Sequence, residues 1–197
     1  MKLYNLELSG NCYKVRLFAA LNNIPLEIID VDFLGGAHKQ PPVIDLNPWG
    51  ELPVFVDDEF VLRDSQAILV YLASKYESKM SLPKDPKEIA EIMQWLSTAA
   101  NEIYNGPNAA RLVDKFGYDI NKEGTLKMSD RIMSLIESHL SKNKWVALNK
   151  PTIADCACMP YLALSHEGGI DLDRYPNIVR WINDIKSLQG FISMPAI

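Results

Sequence analysis

The chain has 197 residues, 48% of them hydrophobic, which excludes a disordered polypeptide and allows one large domain or two small ones with buried cores. Its formal net charge of −5 excludes nucleic acid and anionic membrane surfaces as natural partners, since both select for an excess of Lys and Arg. Cys12, Cys156 and Cys158 are an odd number with two of them one residue apart, so a secreted disulfide framework is excluded in favour of a reducing compartment. The three His are scattered and make no metal spacing, and no apolar run reaches signal-peptide or membrane-spanning length. The expectation is a soluble, cytoplasmic protein that holds no metal.

In chain order, "KLYNLEL" has the character of a strand and "CYKVRLFAALNN" that of a helix. A second strand follows in "LEIIDVDF", where Ile28, Val31 and Phe33 supply β-branched and aromatic bulk. These three elements predict a βαβ unit with parallel strands. The Gly- and Pro-rich "GGAHKQPP" is a loop, and a short segment ends at "NPWGELP". "VFVDDEFVLR" has an acidic middle between two apolar runs and predicts a hairpin. "DSQAILVYLASKYE" predicts a helix with Asp64 or Ser65 as its N-cap and Ile68, Leu69 and Leu72 on one face.

The segment "SKMSLPKDP" marks a linker, set at residues 80–86, between an α/β domain over 1–79 and an all-helical domain over 87–197. Helical periodicity runs from Lys87 to Asn105, breaks at "NGPN" and resumes to Lys115. Further helices are expected over Lys122 to Lys142, Ile153 to His166 and Asn177 to Leu188. Thr152 followed by Asp155 is a variant capping box that opens the helix beginning at Ile153. Fold class alone assigns no function, so the motifs must carry it.

Taken together, "LSGNCYKVRL", "NPWGELPVFVDDEFVLRDSQAILVYLASKY" and "PTIADC" resemble the cytosolic glutathione transferases over essentially the whole chain. That resemblance implies a thioredoxin-like N-terminal domain followed by a helical C-terminal domain. It also implies glutathione as co-substrate, a small-molecule electrophile as second substrate, and a homodimer. Delta-class relatives place a serine at the end of the first strand, here Ser9, with a cysteine three residues on, here Cys12. Nu-class relatives add an Asn two residues after the Ser or Thr, here Asn11. In the family, the "N-P-x-G-x-[VIL]-P" segment ends in a cis-proline, here Pro53. The preceding residue, Leu52, pairs its backbone with the cysteinyl part of glutathione. An acidic residue followed by Ser, here Asp64 and Ser65, holds the γ-glutamyl end. His38 and Lys39 lie where relatives grip the glycyl carboxylate. Tyr104, Asn108 and Arg111 fall at helical spacing around the "NGPN" break, where relatives line the electrophile pocket.

Each assignment has a physical basis beside a plainer one. An extended peptide can take up main-chain groups left without ladder partners, as an added strand would. Asp64 and Ser65 are first of all helix-capping residues, yet a helix N-terminus also presents free N–H groups to a carboxylate. Asp64 would face the ammonium group of the ligand, although it is shorter than the Glu or Gln more common there. For glutathione the nucleophile arrives with the ligand, so the protein need only favour thiolate over thiol. Lowering a thiol pKa near ~8.5 by two units takes about 2.7 kcal/mol. A charge-assisted hydrogen bond contributes roughly 1.5–3 kcal/mol and a helix N-terminus roughly 0.3–1.

Ser9 is therefore expected to act as a hydrogen-bond donor rather than as a nucleophile, with Asn11 either assisting or capping the helix. Cys12 is the rival, because a cysteine at a helix start can have a depressed pKa. It has no resolving partner, since Ser9 and Val15 occupy the C-x-x-C positions, and a packing role is preferred. Tyr13 is expected to point outward, and Tyr4 matches the register of a tyrosine-type transferase poorly. Lys14 sits in the first turn of its helix, where a cation is unfavourable unless an anion binds near it. Cys156, Cys158, Trp95, Trp145 and Trp181 are expected in the core. The alternatives to conjugation are glutathione-dependent disulfide reduction or isomerisation, and a non-catalytic module that binds glutathione or a partner.

Overall fold

Four short strands make one sheet, and the direction in which each enters it decides where the motifs meet. The computed structural model describes residues 1–197. Strand β1 (Lys2–Asn5) buries Leu3 and Asn5 in alternation with Lys2 and Tyr4, the period of two that a strand demands. Helix α1 (Gly10–Leu21) buries Cys12, Val15, Leu17 and Phe18, and carries the chain over to β2 (Glu27–Asp30). β2 pairs with β1 in parallel, from Lys2↔Glu27 to Asn5↔Asp30, the arrangement that needs a helical crossover. After the single turn of α2 (Val43–Leu46), β3 (Val54–Asp57) runs antiparallel to β1, and β4 (Phe60–Arg63) antiparallel to β3. The order across the sheet is β2-β1-β3-β4. Helix α3 (Ser65–Lys75) then buries Ile68, Leu69, Leu72 and Ala73. This is the thioredoxin-like architecture that the resemblance implies.

Several helices end two or three residues earlier than expected, and two boundaries and one side chain in this unit differ for reasons the contacts show. Helix α1 begins at Gly10 rather than Cys12, because Ser9 caps it. β2 stops at Asp30 instead of continuing to Phe33, since Asp32 turns back to accept from the Gly35 N–H at 2.8 Å and ends the extended run. Tyr13 points inward: it is fully buried, and its hydroxyl donates to the Ile192 carbonyl at 2.6 Å. The reason is a chain return that no local pattern shows. The first compact unit comprises Met1–Ser81 together with Gln189–Pro195, a segment assigned from sequence to the helical domain.

The second unit, Leu82–Leu188 with Ala196–Ile197, is all helix and turn. Asp85 caps α4 (Pro86–Ala100), whose first residue is the proline that this position favours. "YNGPN" is not a break: Tyr104–Asn108 form a π-helical turn, wide enough to accept Pro107 without the missing donor ending the helix. Helices α5 (Ala109–Phe116), α6 (Lys122–Leu140), α7 (Ile153–Ala163) and α8 (Pro176–Lys186) follow. α7 is buried along its whole length, Cys156 and Cys158 included, and forms the axis of this core. Its capping box is complete: the Thr152 hydroxyl accepts from the Ala154 N–H at 3.2 Å, and the Asp155 carboxylate accepts from the Thr152 N–H at 2.8 Å. No helix is long and apolar enough to cross a membrane.

Candidate active site

The ladder brings three distant segments to one end of the sheet. Tyr4 pairs with Val54, and Val54 with Arg63. The chain leaving β1 toward Ser9, the chain entering β3 through Leu52 and Pro53, and the chain leaving β4 toward Asp64 therefore emerge side by side. β2, parallel to β1, sends its exit toward His38 at the same end.

Ser9 is the N-cap of α1. Its Oγ accepts from the Cys12 N–H at 3.3 Å and it remains half-exposed, so the hydroxyl hydrogen is able to rotate toward an acceptor. Cys12 lies beneath it, fully buried, with Sγ accepting from the Leu6 N–H at 3.3 Å. Burial pushes the Cys12 thiol up, more than the hydrogen bonds from Ser9 and Leu6 bring it down, and the buried Cys156 thiol is pushed further still.

Asn11 is not the cap. Its Oδ1 accepts from Lys14 Nζ at 2.8 Å and lies 3.4 Å from Ser65 Oγ, which ties the start of α1 to the start of α3. Leu52 is half-exposed, the Leu52–Pro53 peptide is cis, and the β1–β3 register stops at Val54, one residue beyond Pro53. The main chain of Leu52 thus lies past the end of the ladder.

Asp64 caps α3 from an unusual backbone conformation, φ +71°, with Oδ1 accepting from the Gln66 and Ala67 N–H groups at 3.0 Å each. Asp tolerates positive φ better than most residues, and such a backbone persists where the surrounding structure holds it, here through the cap. The second carboxylate oxygen of this exposed Asp takes no part in these two cap bonds. Ser65 is buried at the first position of α3, its hydroxyl against Asn11 Oδ1 and the Gln66 side chain.

His38 lies in a short 3-10 turn, Ala37–Lys39, stacked on Phe33 with ring centroids 3.9 Å apart. It is 7% exposed and its Nδ1 has no partner, whereas Lys39 is exposed. The turn rests against Gly50, where φ is +63° and an added Cβ would meet the His38 carbonyl at 3.5 Å.

In the helical unit, Tyr104 is 40% exposed and meets the buried Tyr161 edge-on at 6.4 Å. Asn108 and Arg111 are each 2% exposed. Arg111 is paired with Glu167, which also takes Lys115, and these two cations lower the Glu167 carboxyl despite partial burial. Lys14, flagged in sequence as a cation near a helix start, is the fifth residue of α1 and is fully buried with its Nζ on Asn11 Oδ1.

A thioredoxin-like sheet whose capped helix starts and cis-proline gather at one end, continued by an all-helical unit, defines the class of protein to which this chain is compared. Residues 3–80 match the glutathione S-transferase N-terminal domain and residues 118–188 the C-terminal domain. The chain is 30% identical to glutathione S-transferase F13 of Arabidopsis thaliana, over 98% of this chain and 94% of that one. It is 28% identical to the maleylacetoacetate isomerase of Pseudomonas aeruginosa, over 91% and 88%. The crystal structure of a glutathione S-transferase from Pseudomonas fluorescens superposes with a TM-score of 0.90 at 30% identity, covering 98% of both chains. The chain belongs to the glutathione S-transferase family of enzymes.

Proposed function

We propose that this enzyme conjugates glutathione to electrophilic small molecules by stabilising the glutathione thiolate, with Ser9 as donor to the sulfur and Asn11 beside it. The observation that carries the reading is the Ser9 cap: its oxygen is held by the Cys12 N–H, which fixes the hydroxyl at the positive end of α1. Leu52 would pair with the cysteinyl main chain of glutathione, held by Pro53. The free oxygen of Asp64 would take the γ-glutamyl ammonium, and the N-terminus of α3 at Ser65 the neighbouring carboxylate. His38 and Lys39 would serve the glycyl end, Lys39 as the exposed cation and His38 through its unpartnered Nδ1.

For the electrophile, exposure favours Tyr104. Asn108 and Arg111 are buried, so their part in that pocket would be to hold the π-helical turn and α5 in place. The same reading makes the protein a cytoplasmic homodimer acting in detoxification, as the family resemblance implies.

The test is conjugation of an aryl halide. Ser9→Ala should lose about tenfold to a hundredfold in kcat/KM, the equivalent of one charge-assisted hydrogen bond. Cys12→Ser should retain activity, and the opposite pattern would overturn the assignment. Isomerisation is the second reading, favoured by the similarity to the maleylacetoacetate isomerase, and it begins with the same thiolate. Turnover of maleylacetoacetate by a protein inert toward aryl halides would establish it.

A further inference from the structure

Lys14 is placed against expectation on two counts. It is fully buried, where an ammonium loses its hydration, and from the second turn of α1 its Nζ reaches back to Asn11 in the first turn, where the helix dipole opposes a cation. Its Nζ is 2.8 Å from Asn11 Oδ1, and Ser65 Oγ approaches the same atom at 3.4 Å.

An ammonium has donors and no acceptor, so the atom of the Asn11 amide that faces it must be the oxygen. The two N–H donors of Asn11 are then on the opposite branch of the amide. Lys14 and Ser65 are buried while Asn11 is half-exposed, and Asn11 lies two residues from the Ser9 cap. The charge behind the amide polarises it as well as orienting it, because a hydrogen bond from a charged donor strengthens the donors at the other end.

We propose that Lys14 is a positioning residue of the thiol site. Its buried ammonium holds Asn11 Oδ1 inward, so that the amide N–H donors face the glutathione sulfur beside Ser9, and its positive charge favours thiolate over thiol. The proposal rests on the glutathione reading above. Other charged or titratable groups on α1 and the elements beside it include Tyr13, whose hydroxyl donates to the Ile192 carbonyl; Arg16, bonded to the Glu7 carbonyl; Asp30 at the end of β2, bonded to Asn5; Asp64 at the head of α3; and the buried Cys12 thiol.

The experiment uses the full chain as wild type, Lys14→Met, Lys14→Gln, Asn11→Ala and the Lys14→Met/Asn11→Ala double variant. Glutathione affinity is measured by calorimetry. The ultraviolet absorbance of bound thiolate and kcat/KM for an aryl halide are followed against pH. Lys14→Met should raise the apparent thiol pKa of bound glutathione by about one unit, seen as a tenfold loss of kcat/KM near neutrality that recovers as pH rises. Lys14→Gln keeps an N–H donor without the charge. It should shift the profile by less than Lys14→Met, and it decides the question if the Met variant does not fold. The double variant should lose no more than the worse single one, because both act through one amide.

Losses that multiply in the double variant would overturn the proposal, as would a Lys14→Gln profile superimposable on that of the wild type. A raised KM for glutathione with an unmoved pH profile would also overturn it, by placing Lys14 at the γ-glutamyl end through Ser65. Those outcomes leave the glutathione reading intact. A folded wild-type chain that does not bind glutathione refutes that reading, and this proposal with it.

Discussion

At the scale of single residues, the opening of α1 offers three groups that differ little in type and greatly in what surrounds them. Cys12 is the most reactive by chemistry and the least available, since burial disfavours its thiolate. An alkylating reagent should therefore leave Cys12 unmodified in the native protein at neutral pH and label it in denaturant, as read by mass spectrometry; rapid native labelling would contradict its burial. Ser9 is half-exposed and already held at the helix start, which is what a donor requires. Asp64 gives a sharper prediction. Asp64→Asn keeps a capping oxygen and a residue type that tolerates positive φ, and removes only the charge. It should raise KM for glutathione about tenfold with kcat little changed, the mark of an interaction made equally in ground and transition state. An unchanged KM would remove Asp64 from the binding site. The cap at Asp64 and the cis peptide before Pro53 were legible in sequence because each belongs to a short motif with its own local reason to exist. The burial of Lys14 against Asn11 Oδ1 was not, since it depends on which way a helix face turns. The outward placement assigned to Tyr13 failed for the same cause.

At the scale of elements, helix caps and close approaches decide stability. Asp155 receives the Trp181 indole N–H at 2.8 Å, the Thr152 N–H at 2.8 Å and the Val146 N–H at 3.2 Å, so it joins α7 to α8 and to the segment before α7. Burial nevertheless pushes its carboxyl up to about 6, the hydrogen bonds opposing this only in part. A carboxyl whose pKa is raised by folding binds its proton more tightly in the native state. Its contribution to stability is therefore full below the ordinary value of 3.8 and is lost as pH rises to about 6. Asp155→Asn should flatten urea-derived stability against pH between those limits. It should also cost about 1–3 kcal/mol throughout, because an amide N–H2 would then face a protein donor. A slope that survives the substitution would assign the titration to another group. Gly168 is the second such point: an added Cβ would come within 2.7 Å of the Arg111 nitrogen and 2.8 Å of the Ala110 carbonyl carbon, both main-chain atoms that cannot yield cheaply. Gly168→Ala should cost about 1–3 kcal/mol by the same denaturation assay. The capping box at Thr152 could be read from four letters, whereas the π-helical turn at Tyr104–Asn108 was taken for a break. A proline in a helical pattern signals interruption, and only tertiary packing shows that a widened turn absorbs it.

At the scale of the whole molecule, the two compact units are not two halves of the sequence. Gln189–Pro195 returns to the unit built by Met1–Ser81, so the thioredoxin-like unit is assembled from both ends of the chain. Sequence periodicity could place the helices and the linker, but a return across this separation leaves no local trace, and the segment was read as the tail of the helical domain. What secures it within the unit is visible in two places. Tyr13, inside α1, gives its hydroxyl to the Ile192 carbonyl, and Met194 is 4% exposed. Tyr13→Phe removes only the donor and leaves one carbonyl unpaired, so it should cost about 1 kcal/mol. A chain ending at Leu188 loses the whole segment and exposes the buried face of Tyr13. It should cost more, because apolar surface goes with the hydrogen bond. Since ligand binding stabilises only a folded site, saturating glutathione should still raise the midpoint of Tyr13→Phe by the wild-type increment. The truncated chain should show a smaller increment, as part of the unit that carries Ser9 has been removed. Equal glutathione-induced shifts in the truncated and intact chains, by thermal denaturation, would show that the returning segment stabilises the unit without shaping its site.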